Sequence, residues 1–235
     1  MTLEINKVYN IDCIEGMKML PDNSVDMIFT DPPYGIDYLS NRTDNHDRIR
    51  NDGLTEFKEN LPLWLAEMKR VIKPNGVCCC CCCCGGKTPV NAIFTIEFIK
   101  YFNLIQTIVW DKKTIGLGWK YRPSYETVII GSLDIENYIW NTERKDISNI
   151  VRFNNWIPQE GEHPTQKPYN LIRYFIGLHS FINEIILDPF MGGGSTAVAA
   201  LKENRNFIGF EIEPKYCEIA NKRIDIERNQ LKIFH

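Results

Sequence analysis

No run of apolar residues in this 235-residue chain approaches the roughly 20 needed to cross a bilayer. The opening Met1-Thr2-Leu3-Glu4-Ile5-Asn6-Lys7 lacks the basic and apolar regions of a secretion signal, so a cytoplasmic protein with no membrane partner is expected. An excess of positive charge is missing too, since 27 Lys and Arg face 30 Asp and Glu for a formal net charge of −3. That excludes a polycation; a nucleic-acid partner would have to be met by a local basic face. A disulfide framework is also absent, although the chain has nine cysteines. Most of them occupy one run at 78–84, and adjacent strand residues face opposite ways, which prevents pairing. Zinc needs about four converging ligands, and one strand face supplies too few, so no metal is expected. Cysteine here reads as a small apolar residue of a buried strand. No internal repeat is present.

What the chain does contain is an alternation of strand and helix patterns. Residues 7–11 read as a short strand, and Asp12 can cap a helix running to about Leu20. Residues 25–30 read as a buried strand that ends at Asp31. The stretch from 35 to about 54 is polar and aperiodic, which reads as a loop. Leu61, Trp64, Leu65, Met68, Val71 and Ile72 recur at three and four, the stripe of an amphipathic helix, and Lys73-Pro74-Asn75-Gly76 should stop it. Val77 and the cysteine run give a strand. Pro89 suits the first position of another helix, and 104–110 and 127–130 are further strands. Residues from about 131 to 162 show no strong pattern and could be a small insertion. Pro168 starts a helix to about Ser180, followed by a strand at 184–187, a glycine-rich turn and a helix through Leu201. Residues 207–210 form a strand reaching Glu211, and Pro214 starts the last helix. This alternation predicts an α/β fold in one domain spanning 1–235, a mostly parallel sheet with helices on both faces.

Three constellations carry chemistry. In the first, a strand runs into Asp188-Pro189-Phe190-Met191-Gly192-Gly193-Gly194-Ser195-Thr196, and Glu211 ends the next strand. Glycines let the backbone approach a ligand, the helix start offers free amides, and the later carboxylate can accept from a ribose diol. In the second, Asp31-Pro32-Pro33-Tyr34 sits at a strand's carboxyl end, where open parallel sheets place ligands. The prolines fix the backbone and leave the Pro32 carbonyl free to accept; Asp31 adds a second acceptor. Two acceptors aimed at one point suit an NH2 group, and Tyr34 offers a flat face for stacking. The third is His163-Pro164-Thr165-Gln166-Lys167-Pro168, which in isolation is a proline-rich loop before a helix.

Together, in this order, these segments resemble the DNA amino-methyltransferases that act on adenine N6 or cytosine N4. The likeness is to the permuted group, whose catalytic segment precedes its glycine-rich one. The resemblance implies a Rossmann-like class I methyltransferase fold, S-adenosylmethionine as cofactor and double-stranded DNA as partner, with the 131–162 insertion serving target recognition. It implies catalytic roles for Asp31, Pro32, Pro33 and Tyr34. Cofactor contacts would come from Asp12, Cys13, His163, Thr165, Gln166, Lys167, Asp188, Phe190, Gly192, Gly194, Ser195, Thr196 and Glu211. Asp at position 31 favours adenine, with cytosine N4 the alternative. A restriction-modification setting and a homodimer are further expectations. A nicotinamide-dependent oxidoreductase would use the same glycine turn but leaves Asp31 to Tyr34 unexplained. For DNA contact the candidates are Arg42, Arg48 and Arg50, beside the catalytic segment, and Lys112, Lys113, Lys120 and Arg122, which stand among Trp110, Trp119 and Tyr121.

Overall fold

The structure is a computed structural model that describes residues 3–34, 53–82, 89–116, 120–154 and 167–233. Its strands are β1 (Lys7–Asn10), β2 (Val25–Thr30), β3 (Ile72–Cys82), β4 (Asn103–Asp111), β5 (Tyr125–Ser132), β6 (Ile150–Arg152), β7 (Ile185–Asp188) and β8 (Asn206–Glu211). The helices are α1 (Cys13–Lys18), α2 (Leu54–Val71), α3 (Val90–Phe98), α4 (Tyr169–His179), α5 (Ser195–Lys202) and α6 (Pro214–Ile233). All the strands join one sheet in the order β1-β8-β7-β2-β3-β5-β4-β6. Every pairing is parallel except those of β5, which runs against both β3 and β4.

Side-chain periodicity explains why the layers assemble. β2 is buried along its whole length, as a strand covered on both faces must be. On α2 the stripe Phe57, Leu61, Trp64, Leu65, Met68 and Val71 faces the sheet. The described part of the cysteine run alternates between the two apolar layers. Cys79 and Cys81 pack with Phe29, Trp110 and Phe175, while Cys78, Cys80 and Cys82 pack with Trp64, Phe94 and Phe98. Cys78 and Cys80 share a face with their sulfurs 3.6 Å apart, and the described thiols are all buried with no disulfide among them.

Several boundaries differ from the sequence reading. α2 begins at Leu54, a turn and more before the first residue of the expected stripe. Pro62 lies within it, where its missing amide removes one i→i−4 hydrogen bond. The helix ends at Val71, just ahead of the expected stop, and residues 73–76 form the irregular start of β3, with a register shift between Val25 and Met27 where the two strands pair. β6 carried no detectable pattern because it is three residues long and only Val151 is buried. Around it, in the 131–162 stretch, Ile139 is buried and its amide donates to Asn75 O at 3.0 Å. The His179 ring nitrogen Nδ1 lies 3.1 Å from Ile139 O, and burial lowers that imidazole to about 4.

β7 continues through α5 to β8 on one side, whereas β2 continues through α2 to β3 on the other. The chain therefore diverges between β2 and β7, and a crevice opens outside their carboxyl ends.

If the thiols act as apolar groups, Cys79→Ala should cost less stability than Cys79→Ser. The serine hydroxyl would be stranded among Phe29, Trp110 and Phe175, for an added penalty of about 1–3 kcal/mol in urea denaturation. Equal losses would show that the thiol's polarity matters there.

Candidate active site

A buried carboxylate joins the segments at the mouth of this crevice. Asp188, the last residue of β7, accepts from Thr30 Oγ1 at 2.7 Å and from Thr196 Oγ1 at 2.6 Å. Its Oδ1 also accepts the amide of Phe190 at 3.0 Å. One side chain thus ties the end of β2 to both limbs of the glycine-rich turn. Burial raises its pKa to about 6, against the opposing pull of the Thr196 and Thr30 hydroxyls and the Phe190 amide.

The turn itself is held by its neighbours. Gly192 and Gly194 have φ of 52° and 83°, in the left-handed region that favours glycine. A Cβ at Gly194 would also meet Ala220 of α6 at 3.0 Å, so this glycine allows close approach of α5 and α6. Glu211, at the end of β8, accepts the Gly192 amide through Oε2 and the Glu213 amide through Oε1, each at 2.8 Å. Burial raises its carboxyl above the usual range, partly offset by these amides. Ser195 Oγ is buried with no hydrogen-bond partner among the described residues. Phe190 sets its ring edge-on to Trp64, centroids 4.9 Å apart. Near the end of β1, Asp12 caps α1 through the amides of Ile14 and Glu15, at 2.9 and 3.3 Å. Cys13 beside it is buried, and burial raises its thiol strongly.

Across the crevice Asp31 lies in a compact ionic cluster. The Tyr34 hydroxyl donates to Asp31 Oδ1, and Lys167 Nζ donates to Asp31 Oδ2 at 2.5 Å and to the Tyr34 oxygen at 3.2 Å. Lys167 also stands 5.4 Å from the centroid of the Tyr34 ring. A residue that sequence reasoning missed, Glu126 near the start of β5, faces Lys167 Nζ at 3.4 Å through Oε2 and pairs with Lys112 at 3.0 Å through Oε1. Its one clue was a charged residue at the edge of an apolar strand. Lys167 is 8% exposed; burial opposes its charge, but Asp31 and Glu126 together raise its pKa strongly. Burial raises Asp31, Lys167 pulls it back, and Glu126 adds to the rise. Glu126 is lowered overall, because Lys167 and Lys112 outweigh its burial.

The structure therefore brings Asp31, Tyr34 and Lys167 together, and joins Asp188, Phe190, Gly192, Thr196 and Glu211 in one turn. His163, Thr165 and Gln166, like Arg42, Arg48, Arg50 and Trp119, lie outside the described residues. Two readings of the basic stretch need correction. Trp110 is a core residue, 1% exposed, with its indole N–H donating to Phe153 O at 2.9 Å, so it cannot meet a base. Lys112 is spent on Glu126 and has an 11% exposed side chain, too little for a phosphate contact. Lys113, Lys120, Tyr121 and Arg122 are exposed. Lys113 shares a groove of about 250 Å³ with Arg152, Phe153, Asn154, Pro168 and Asn170.

Residues 25–222 match the model of the N6/N4 DNA methylase family. Over 244 residues the chain is 29% identical to the Type II methyltransferase M2.MboI of Moraxella bovis, covering 92% of this chain and 86% of that one. It is 28% identical over 262 residues to the DNA adenine methyltransferase YhdJ of Escherichia coli (strain K12), covering 95% and 84%. The solved structure of the M1.HpyAVI–SAM complex superposes with a TM-score of 0.71 at 25% identity, over 93% of this chain and 98% of that one. The fold is the Rossmann-like class I methyltransferase architecture.

The raised Asp188 carboxyl has a measurable consequence. Between pH 4 and 6 the folded chain retains a proton that the unfolded chain releases. The contribution of this group is therefore fully present below about pH 4 and is lost as pH rises towards 6. A rise from 3.8 to about 6 corresponds to roughly 3 kcal/mol. Asp31 and Glu211 pull the same way, so the difference between the native chain and Asp188→Asn isolates the effect. Parallel curves of unfolding free energy against pH for the two proteins would refute it.

Proposed function

This chain belongs to the N6/N4 DNA methylase family, and from that premise we propose that it transfers a methyl group from S-adenosylmethionine to the exocyclic N6 of adenine in DNA. The observation that carries this reading is the Asp188 carboxylate, which accepts from Thr30 on one side and from Thr196 and the Phe190 amide on the other. The segment carrying Asp31 and the segment suited to the cofactor are thereby one rigid unit. Asp at position 31 favours adenine over cytosine N4 by family resemblance, and the E. coli relative named an adenine methyltransferase aligns along 95% of the chain.

The residues of the turn fit the cofactor. An orphaned Ser195 hydroxyl, left-handed glycines and the Glu211 carboxylate form a cradle with unused hydrogen-bonding capacity. Gly192, Gly194, Ser195, Thr196 and Phe190 would hold it, with Glu211 at the ribose and Asp12 and Cys13 nearby. Lys167, with His163, Thr165 and Gln166, would close the opposite side. When bound, the cofactor supplies an electrophilic methyl carbon.

The chain's own residues supply the grip on the amine. Asp31 and the Pro32 carbonyl accept the two amine hydrogens, which frees the nitrogen lone pair and stabilises the positive charge growing there. Pro33 keeps that backbone rigid, and Tyr34 stacks on the base. A base within a duplex is out of reach, so the target rotates out of the helix into the crevice. No covalent enzyme intermediate is required, in keeping with the buried Cys13 and Cys217 thiols, both raised chiefly by burial. Lys113, Lys120 and Arg122 remain as phosphate contacts, together with Arg42, Arg48 and Arg50. The kinship with Type II methyltransferases supports a role in modification beside a restriction activity; a cytoplasmic homodimer completes the proposal.

Asp31→Ala should abolish transfer while the cofactor dissociation constant, measured by calorimetry, stays within about twofold. Near-normal turnover would remove Asp31 from the mechanism, and mass spectrometry of digested DNA that finds N4-methylcytosine would reassign the base. Ser195→Ala should weaken cofactor binding roughly three- to tenfold, the worth of one hydrogen bond, without lowering Tm. Unchanged cofactor affinity would exclude Ser195 from the cradle.

A further inference from the structure

The ionic cluster at Asp31 contains one more anion than the chemistry above uses. Lys167 Nζ lies between two carboxylates, 2.5 Å from Asp31 Oδ2 and 3.4 Å from Glu126 Oε2. Glu126 is 14% exposed, and its Oε2 is buried without a hydrogen bond among the described residues. Its other oxygen is satisfied by Lys112 at 3.0 Å. Lys112 after β4, Glu126 from β5, Asp31 after β2 and Lys167 before α4 balance as two ammonium groups against two carboxylates.

This arrangement conflicts with the task set for Asp31. A carboxylate that must accept amine hydrogens has one oxygen filled by an ammonium donor and the other by the Tyr34 hydroxyl. An ammonium held there also repels the positive charge that grows on the amine nitrogen. Glu126 resolves the conflict, because moving Lys167 Nζ by under about 1 Å would complete a normal hydrogen bond to Oε2. The ammonium would stay buried and paired throughout, and the net charge of the cluster would not change.

We propose that Glu126 is a positioning residue for methyl transfer: its buried carboxylate is the second seat of Lys167, to which the ammonium moves as the amine substrate takes its place on Asp31. The proposal rests on the functional reading given above, and it assigns a role to the strand that runs against its neighbours. In the resting state Lys167 holds Asp31 in place; in the working state Glu126 holds Lys167 away.

The test is Glu126→Gln, which keeps the shape and removes the charge. Lys167 should then stay on Asp31, and kcat should fall roughly 100-fold, as expected for a misplaced reacting group. The KM for DNA and the cofactor dissociation constant should change by less than about threefold. The groups facing Asp31 are Tyr34, Lys167, Glu126, the Cys80 and Cys81 thiols of β3 and Asp188 of β7. Loss of the Glu126 charge should move the Asp31 titration, and the acid limb of kcat, to lower pH. Glu126→Asp should recover part of kcat, and Glu126→Gln should add nothing in a Lys167→Met background. Turnover of the native chain on DNA, measured first, judges the reaction itself. Whatever that result, 13C NMR titration of Asp31 in native and Glu126→Gln protein judges the cluster. An unmoved Asp31 titration, unchanged kcat, or equal falls in kcat and cofactor affinity with a lowered Tm would each overturn the proposal.

Discussion

The buried carboxylate of Asp188 is the constraint on which the site depends. A charge removed from water must be compensated, and here the compensation comes from two hydroxyls and one amide on separate parts of the chain. The geometry of the crevice follows from that requirement. Thr30 cannot drift from β7, the glycine-rich turn cannot lift from the sheet, and the segment from Asp31 to Tyr34 leaves β2 at a fixed place. Burial still raises the carboxyl to about 6, so the three donors offset only part of its cost. The site is therefore strained electrostatically where it must be rigid mechanically.

Much of this was legible in the sequence because it is local. Apolar spacing at three and four marked α2, a short, largely apolar run marked β2, and Asp12 announced the start of α1, where it caps two amides. Alternation of the cysteines between two apolar layers follows from the two-residue period of a strand alone. Asp31 and the glycine-rich turn lie at strand ends, where local signals and ligand sites coincide. What escaped is nonlocal. β6 is a short edge strand whose existence depends on β4, and its own residues give it no period. Lys112 and Trp110 looked like a nucleic-acid surface because composition does not reveal which way a side chain points. Glu126 buries one and β6's neighbour Phe153 satisfies the other. The ion pairs linking positions 31, 112, 126 and 167 join residues far apart in the chain, and no spacing rule foretells them.

The two sides of the crevice differ in kind. The turn after β7 is a backbone construction, with amides, left-handed glycines and one hydroxyl unpaired among the described residues, and it suits a ligand held by shape. The opposite side is built of charges that can be redistributed among a few buried groups. A rigid seat for one reactant and an adjustable one for the other is a sensible division where the second arrives as part of a large polymer.

The reversed direction of β5 has an architectural effect as well. Parallel neighbours must be joined by a crossover over one face of the sheet, whereas β4 and β5 are antiparallel neighbours, a pairing that needs no crossover. The stretch between them can therefore grow or shrink without moving a helix or changing a layer. Changes of length there leave the strands that hold the reactive groups as they are.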